Sequence, residues 1–380
     1  MKRILHVVNV FFVVPYFFGN QFPHLGKKGY DQHLICSPSP LLKDYANRMG
    51  IRYWEVRVNK SFTPFQDVLA IAAICRYIGR NRINIVVGHT PKGAFVSMIA
   101  ALLMRVPCRI YFRHGLVYET MKGLPRLAVI ISDKITALCA NKVICVSRSV
   151  YRRSLEDRLN PERKQMVLLK GTCGGVDTVN KFNPDCINQE KLEKLRASLG
   201  IESDCYVVGF VGRLVKDKGV QELVEAFDLI RKEKPAMKFR LLLVGGTENR
   251  DGIPGWLMKK INEDPHIVNP GLVFEDVEYY YAMMDILVLP TYREGFPISV
   301  VEASAMRLPV LTTRETGAID SIIEGVTGEF IEHDPVSIRD SVLRFTDRNY
   351  AMKYGSNGRK FVTINFDSSL FLKEFEKLYA

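Results

Sequence analysis

Each half of this chain of 380 residues contains a series of short apolar runs that alternate with helix-like segments. Buried parallel strands are nearly continuous apolar runs, and each connection between them needs a crossover helix. The alternation therefore predicts an α/β fold built from two doubly wound, Rossmann-like domains. The predicted strands of the first half are Ile4–Val10, Gln32–Cys36, Ile85–Gly88, Arg109–Arg113 and Val143–Val146, with helices such as Phe65–Arg80 and Lys92–Met104 between them.

A polar stretch from Asn180 to Cys205 interrupts the alternation, and we place the domain boundary near its start. The second half then predicts further strands and helices at Val207–Gly212, Val220–Glu233, Phe239–Gly245, Trp256–Glu263, Ile267–Asn269, Val277–Met284, Ile286–Pro290, Ile298–Met306 and Val310–Thr313. We expect domains over residues 1–180 and 181–365. Residues 366–380 have helical spacing, and we expect this helix to pack back on the N-terminal domain.

Charge and cysteine content restrict the class of protein. Residues 1–200 hold 31 Lys and Arg against 13 Asp and Glu, a net +18, whereas residues 201–380 carry −6. A basic N-terminal half favours an anionic partner such as a membrane surface, a lipid phosphate or nucleic acid, although a solvated basic surface is the alternative. The eight cysteines form no C-x-x-C pair, so we expect reduced core residues of a cytoplasmic protein.

The N-terminus allows two interpretations. Lys2 and Arg3 precede an apolar stretch to Phe18, as in a signal peptide, but His6 and Asn9 interrupt it and no cleavage site follows. We favour a first strand followed by an apolar loop. No window reaches the roughly 18 uninterrupted apolar residues of a membrane span.

Two carboxylates, Glu294 and Glu302, flank a predicted strand–turn–helix junction. Ligands bind at the carboxyl ends of strands in open α/β sheets, and a helix N-terminus there offers free N–H groups to phosphate. Pro297 suits the first helical position, where its missing N–H costs nothing. These groups favour a nucleotide-sugar site, the alternative being a loop residue and a solvated helix face.

Two glycine-containing segments add to this pattern. Gly212-Arg213 and Lys218-Gly219 lie between a predicted strand and the next helix, where the two cations can neutralise a diphosphate. Solvated cations on a surface turn are the alternative. The second segment, Gly171 to Asp177, suits a tight turn near the domain junction, with or without a functional role.

The chain resembles the retaining glycosyltransferases of family 4, also called group 1, which have the two-domain GT-B fold. The resemblance covers nearly the whole chain and is most specific in the second half. Its motifs are Glu294 and Glu302, Gly212-Arg213 with Lys218-Gly219, Val288-Leu-Pro290, and Gly175-Val-Asp177 with Phe182. The Gly-Phe-Pro form and the segment His89-Thr-Pro-Lys92 look most like members that build polysaccharides on lipid-diphosphate carriers.

The resemblance implies roles for individual residues. Arg213 and Lys218 would bind the donor diphosphate, Glu302 the nucleotide ribose, and Glu294 the donor sugar. His114, at the end of a predicted strand, would contact the donor sugar, although a structural role is the alternative. The adjoining backbone groups that would hold sugar and phosphate are Gly212, Phe296, Pro297, Ile298 and Ser299, of which Pro297 has no N–H. Many members carry Gly-Gly after the first strand, whereas this chain has the apolar run Val10–Phe18 and a single Gly19, which we expect to take part in binding the donor.

The resemblance also implies a mechanism and its partners. Retention would proceed by front-face substitution, with electrostatic stabilisation of the leaving diphosphate. We find no Asp-x-Asp motif and expect no required metal or cofactor. The expected donor is a UDP-sugar, bound by the second domain, and the expected acceptor is a polyprenyl-diphosphate-linked saccharide, bound by the first. We expect a cytoplasmic enzyme, peripheral on the inner face of an anionic membrane.

Three other functions compete with this one. A sugar-nucleotide epimerase of the same architecture would act on the donor alone. A non-enzymatic protein that binds nucleic acid or another anionic polymer would explain the basic half, but its cations are dispersed and no recognised binding motif is present, so we expect no nucleic-acid partner. A dinucleotide oxidoreductase lacks support because no Gly-x-Gly-x-x-Gly follows the first strand.

Overall fold

The computed structural model describes residues 2–59, 61, 63–248 and 252–380. The chain divides into two compact units: unit 1 comprises Met1–Gly174 and Ser369–Ala380, and unit 2 comprises Gly175–Ser368. The junctions therefore lie after Gly174 and after Ser368, where we expected residues 180 and 365.

Unit 1 is built on a parallel sheet with seven strands in the described part of the chain, in the order β3-β2-β1-β4-β5-β6-β7. Because β1 pairs with both β2 and β4, the strand order reverses between β1 and β4. The strands are β1 Arg3–Val8, β2 Asp31–Cys36, β3 Arg52–Glu55, β4 Ile85–Gly88, β5 Cys108–Arg113, β6 Lys142–Cys145 and β7 Gln165–Val167.

Helices cover both faces of this sheet. They are α1 Val14–Phe18, α2 Gln21–Lys27, α3 Leu42–Met49, α4 Pro64–Asn81, α5 Pro91–Leu103, α6 Gly123–Cys139 and α7 Arg148–Glu156. Alternate residues of β1 enter different cores, as the two-residue period of a strand requires. Leu5 and Val7 pack with residues of α4 and α5, while Val8 packs with Phe18 and Phe22 from α1 and α2.

Unit 2 repeats this plan with six parallel strands among the residues described, in the order β10-β9-β8-β11-β12-β13. They are β8 Tyr206–Val211, β9 Phe239–Val244, β10 Ile267–Gly271, β11 Ile286–Leu289, β12 Val310–Thr312 and β13 Glu329–Phe330. The helices are α8 Gln189–Ser198, α9 Val220–Glu233, α10 Gly255–Glu263, α11 Val277–Ala282, α12 Ile298–Ala305, α13 Pro335–Arg344 and α14 Arg348–Phe366.

The last helix, α15 (Ser368–Tyr379), returns to unit 1 and covers the α1–α2 side of its sheet. Phe375 contacts Phe112 of β5, with ring centroids 6.2 Å apart, and is itself buried. The Tyr379 hydroxyl accepts a hydrogen bond of 3.2 Å from the Gln21 side chain of α2. Residues far apart in the sequence thus complete one hydrophobic core.

Two expectations about the fold are wrong. The run after β1 is not a loop: Phe11–Val13 forms a 3-10 helix and α1 follows directly, because Pro15 fits a first helical turn and the apolar side chains have a core to enter. The short strands β3, β7 and β13 were not predicted, since none forms a long apolar run. Within the described part of the chain, no helix has both the length and the apolar composition needed to cross a membrane.

Candidate functional site

The candidate site lies at the edge of the unit 2 sheet where the strand order reverses. Strand β8 pairs with β9 on one side and with β11 on the other. The crossover connections after β8 and β11 therefore leave in opposite directions, which opens the crevice where α/β sheets bind ligands. Gly212 to Gly219 follow β8, and residues 290–297 follow β11.

Two ion pairs tie these two loops together. The Lys218 ammonium contacts the Glu294 carboxylate and donates a hydrogen bond of 3.2 Å to the Arg293 carbonyl. Arg293 in turn donates a hydrogen bond of 2.6 Å to Asp217. Charged hydrogen bonds between largely buried groups fix both loops in one arrangement. The structure thus brings Lys218 and Glu294, which belong to separate motifs, into direct contact.

A close backbone approach adds to this connection. Gly219 has φ +67°, and a Cβ atom there would lie 2.0 Å from the Pro290 carbonyl oxygen. Glycine is required here because the close approach excludes a Cβ atom, and the left-handed conformation further disfavours any other residue. Gly219 is also the N-cap residue of α9, so the N-terminus of that helix lies against the end of β11.

Arg213 projects from the same edge but has a different partner. Its guanidinium donates a hydrogen bond of 3.0 Å to Glu248, which follows β9. The Arg213 side chain is 38% exposed. The backbone beside it is tightly packed, because a Cβ on Gly245 would lie 1.8 Å from the Gly212 carbonyl oxygen. Arg213 is therefore a partly solvated cation on a rigid backbone.

Glu302 lies one turn into α12 and accepts a hydrogen bond of 2.7 Å from the Tyr281 hydroxyl of α11. Burial of its carboxyl group raises its pKa to about 7, and the nearby Glu278 adds to this effect. The Tyr281 hydrogen bond and the charge of Lys181 act in the opposite direction. Glu302 is consequently a carboxyl group that changes its charge near neutral pH.

The N-terminus of α12 presents backbone groups beside these side chains. Pro297 is the residue before the helix, so Ile298 takes the first helical position that we expected for the proline. Phe296 is buried and packs against Phe366, with ring centroids 5.2 Å apart. Ile298 and Ser299 lie in the first turn, whose N–H groups have no partner within a helix. These N–H groups can bind an anion.

The two predicted site residues of unit 1 have different environments. His114 directly follows β5 and contacts His89, which directly follows β4, with 3.0 Å between His89 Nδ1 and His114 Nε2. The ring of Phe17 is stacked on His114 at 3.8 Å. Gly19 ends α1 with φ +46° and is exposed.

Sequence patterns missed several residues that position the site. Arg293, Glu248 and Tyr281 each contact a predicted residue, and Asp217 pairs with Arg293, but all four are ordinary charged or aromatic residues in the sequence. Their roles follow from pairing across strands that are distant in the chain, which no local spacing reveals. Only Asp217 and Arg293 stand beside a motif, next to Lys218 and Glu294.

No group of three or more His, Cys, Asp or Glu side chains in the described residues is arranged to hold a metal ion. The eight cysteines are free thiols, most of them buried, with Cys186 exposed.

Both halves of the chain match known protein families. Residues 205–348 match the family described as glycosyl transferases group 1, and residues 3–147 match the family described as glycosyl transferase 4-like. The chain is 32% identical over 380 residues to the capsular polysaccharide biosynthesis glycosyltransferase CapM of Staphylococcus aureus, an alignment covering 100% of this chain and 97% of CapM.

More distant relatives also align with nearly the whole chain. The chain is 23% identical to an Escherichia coli UDP-Gal:alpha-D-GlcNAc-diphosphoundecaprenol alpha-1,3-galactosyltransferase, over 94% of this chain and 91% of that protein. The fold matches a Rickettsia africae glycosyltransferase with a TM-score of 0.80 at 22% identity, over 100% and 97% of the two chains. It also matches Anabaena HepE, solved with UDP and glucose, with a TM-score of 0.81 at 17% identity, over 99% and 98% of the chains.

Substitution of Gly219 tests the contact between the two loops. Gly219→Ala should lower the free energy of unfolding of unit 2 by more than the roughly 1–2 kcal/mol that left-handed backbone alone costs alanine, because Pro290 blocks the new methyl group. Gly200→Ala is the matched control, with φ +65° and nothing within 4 Å of the added Cβ. Urea unfolding measures both, and equal losses would contradict the close approach.

Proposed function

Since the chain belongs to the group 1 glycosyltransferases of family 4, we propose that it transfers a sugar from a UDP-sugar to a lipid-diphosphate-linked saccharide during surface polysaccharide synthesis. The observation that carries the proposal is the meeting of Lys218 and Glu294 at the edge of the unit 2 sheet where the strand order reverses. Cations, carboxylates and a helix N-terminus at such an edge suit a nucleotide-sugar.

In the proposed site the donor diphosphate binds Arg213, Lys218 and the first N–H groups of α12. Glu302 accepts hydrogen bonds from the ribose hydroxyls, and Glu294 lies against the donor sugar. UDP is the proposed nucleotide because the E. coli relative is named for a UDP-sugar and the HepE structures contain UDP, UDP-glucose or UDP and glucose.

The proposed reaction proceeds with retention of the anomeric configuration. The bond from the anomeric carbon to the diphosphate oxygen breaks while the acceptor oxygen attacks from the same face. The departing diphosphate takes the acceptor proton. Fixed cations and helix N–H groups stabilise the negative charge that develops on the leaving group, which is the largest contribution in many enzymes. An α-linked donor should therefore give an α-linked product.

The acceptor is proposed from the relatives and from the charge of the chain. CapM is named for capsular polysaccharide biosynthesis, and the E. coli protein is named for a substrate carried on diphosphoundecaprenol. A net charge of +18 over residues 1–200 suits a diphosphate carrier embedded in an anionic membrane.

Helix α6 supports a peripheral association with such a membrane. Leu124, Leu127, Ile131, Ile135 and Leu138 recur at intervals of three and four residues and are all exposed, Leu124 by 81% and Leu138 by 75%. We call these five residues the outer stripe of α6.

Basic residues accompany the outer stripe. Lys122 and Lys134 are exposed, and Arg126 is partly exposed. The one acidic residue of α6, Asp133, faces inward and pairs with the buried Arg113 at 2.6 Å. An apolar stripe flanked by unopposed cations fits the surface of an anionic bilayer on the cytoplasmic side, where each Lys or Arg contributes about 1 kcal/mol.

Removal of Arg213 tests the proposed diphosphate contact. Arg213→Ala should lower kcat by about 100-fold or more, because a fixed charge on the leaving group is lost. The matched control is Arg231→Ala, which removes a partly exposed arginine that pairs with Asp264 at the opposite end of α9 from the site. Transfer from a UDP-sugar to a lipid-diphosphate-linked saccharide measures both. An Arg213→Ala enzyme within threefold of the wild type would overturn this assignment.

Glu302 should make UDP binding depend on pH. Only the ionised carboxylate accepts both ribose hydrogen bonds, and the pKa of about 7 means that the ionised fraction rises about tenfold between pH 6 and pH 8. The dissociation constant of UDP should fall by about the same factor. Calorimetry with UDP, GDP and ADP measures the affinities. Glu302→Gln should bind UDP weakly, without this component of the pH dependence.

The stability of the folded protein should depend on pH in the opposite direction to the UDP affinity. A raised pKa in the folded state favours the protonated carboxyl group, so its contribution to stability is complete below the ordinary pKa of 4.5 and is lost as the pH rises through about 7. A UDP affinity that is equal in wild type and Glu302→Gln at all pH values would contradict the assignment of Glu302.

Substitution in the outer stripe tests the membrane association. The double variant Leu124→Ser, Leu127→Ser should bind vesicles of phosphatidylglycerol and phosphatidylcholine at least tenfold more weakly than the wild type, because apolar area is lost. Ile364→Ser removes an equally exposed apolar residue of unit 2, 72% exposed, and serves as the control. Co-sedimentation measures binding, and equal binding by both variants would exclude this face.

A further inference from the structure

Three histidines of unit 1 form a continuous row of hydrogen-bonding rings. His6 lies in β1, His89 follows β4 and His114 follows β5, and these three strands are neighbours in the sheet. His6 Nδ1 lies 3.1 Å from His89 Nε2, and His89 Nδ1 lies 3.0 Å from His114 Nε2. We call these three residues the histidine row. The proposed function gives these three histidines no role, and only the family resemblance assigns one, a contact with the donor sugar, to His114.

The apolar run after β1 covers the histidine row. Phe17 is stacked on His114, with ring planes 4° apart. Phe18 contacts both His6 and His89 edge-on, with centroid distances of 4.8 and 4.9 Å. The helical segment that carries Phe17 and Phe18 therefore packs on the histidine row as well as on the hydrophobic core. These contacts exclude water from the inner part of the row.

Burial keeps the rings of the row uncharged. Burial lowers the pKa of His6 to about 3 and that of His114 to about 3. The pKa of His89 is also lowered well below its ordinary value, by burial and by the two neighbouring histidines. A neutral imidazole has one N–H donor and one bare nitrogen acceptor. Every ring in the row therefore has one donor nitrogen and one acceptor nitrogen.

The hydrogen bonds of the row can run in one of two directions, either from His6 toward His114 or from His114 toward His6. Three neutral rings carry three N–H groups, and the two contacts within the row use two of them. The third N–H group must lie at one end, on His6 Nε2 or on His114 Nδ1. His6 Nε2 is buried and has no hydrogen-bond partner within the described residues, whereas His114 is only partly buried. A buried N–H group without an acceptor is the rarer and costlier arrangement.

We propose that His6 and His89 are positioning residues that hold His114 with its proton on Nδ1, so that His114 donates a hydrogen bond to an oxygen atom of a sugar that binds at the carboxyl edge of the unit 1 sheet. In this arrangement all three rings carry the proton on Nδ1, and each donates toward the next. His114 Nε2 is occupied by the His89 N–H group, so His114 does not act as a base. This inference rests on the proposed function for its ligand, but not for the direction of the row.

Nuclear magnetic resonance of the wild-type protein tests the direction of the row without any activity measurement. Long-range nitrogen–proton correlation spectra of protein labelled with 15N-histidine distinguish Nδ1–H from Nε2–H. We expect His6, His89 and His114 all to carry the proton on Nδ1. Proton attachment at Nε2 of His114 would overturn the proposal. Single substitutions of the other histidines assign the signals.

Kinetics of His6 variants test the positioning role. His6→Leu should lower kcat about tenfold, the lower end of the loss seen when a hydrogen bond that orients a metal-ligating histidine is removed. His6→Asn keeps a donor near the Nδ1 position and should restore kcat to within threefold of the wild type. His33→Leu is the control, because His33 is equally buried in β2 and contacts the Tyr77 hydroxyl, outside the row.

The outcomes separate this inference from the proposed function. If His6→Leu lowers kcat no more than His33→Leu does, the row is only structural and the inference fails, although UDP binding by unit 2 stays as proposed. If UDP does not bind and no transfer is found, the proposed function fails whatever direction the spectra show. If His6→Leu does not fold, the spectra of the wild type still decide the direction.

Discussion

Parallel pairing of the strands is the constraint on which the rest of the structure depends. A parallel strand cannot be followed by a tight turn, so each connection crosses a face of the sheet and every carboxyl end points to the same edge. In both units the strand order reverses beside the first strand, at β1–β4 and at β8–β11. Each unit therefore has one place where two neighbouring strands send their chains in opposite directions. The ion-paired loops of unit 2 and the histidine row of unit 1 both lie at such a place.

The cations of the candidate site are matched by carboxylates before any ligand is considered. Lys218 pairs with Glu294 and Arg213 pairs with Glu248, so the site is not a simple basic patch. In the proposed function, a diphosphate there would gain less from net charge and more from directed N–H groups at the N-terminus of α12. Such a site would select its ligand by geometry. Only a ligand that forms hydrogen bonds with the cations, the carboxylates and the N–H groups at once replaces the hydrogen bonds to water that it loses on binding. The partly exposed Arg213 is the group best able to change partner.

Much of the fold could be predicted from the sequence, because short apolar runs between helix-like segments have few interpretations other than buried parallel strands. Helix α9 and strand β4 lie where the pattern places them. Strand β13 has two residues, and its pairing with β12 rather than its composition defines it. The segment that contains α1 was predicted as a loop because an apolar run of that length has no clear period. Its helical form depends on the rings of the core that it covers.

The candidate site could be predicted in part. Arg213, Lys218, Glu294 and Glu302 stand in recognisable motifs, and the contact between Lys218 and Glu294 agrees with their shared place at the sheet edge. The partners Glu248 and Tyr281 could not be predicted, since their side chains reach the site from other elements. The role of His6 was also hidden. It lies inside a strand and becomes notable only when its neighbours across the sheet are known.

The return of α15 to unit 1 has a consequence for how the chain is made. On the ribosome, the residues of unit 1 up to Gly174 emerge first, but Phe371 and Phe375 of the same core emerge only after all of unit 2. The nascent N-terminal half must therefore wait with part of its apolar surface uncovered, and its final packing is a late event that joins the two ends of the polypeptide. Domains that fold as units during synthesis usually finish in order along the chain. Here the first domain to begin is the last to be completed.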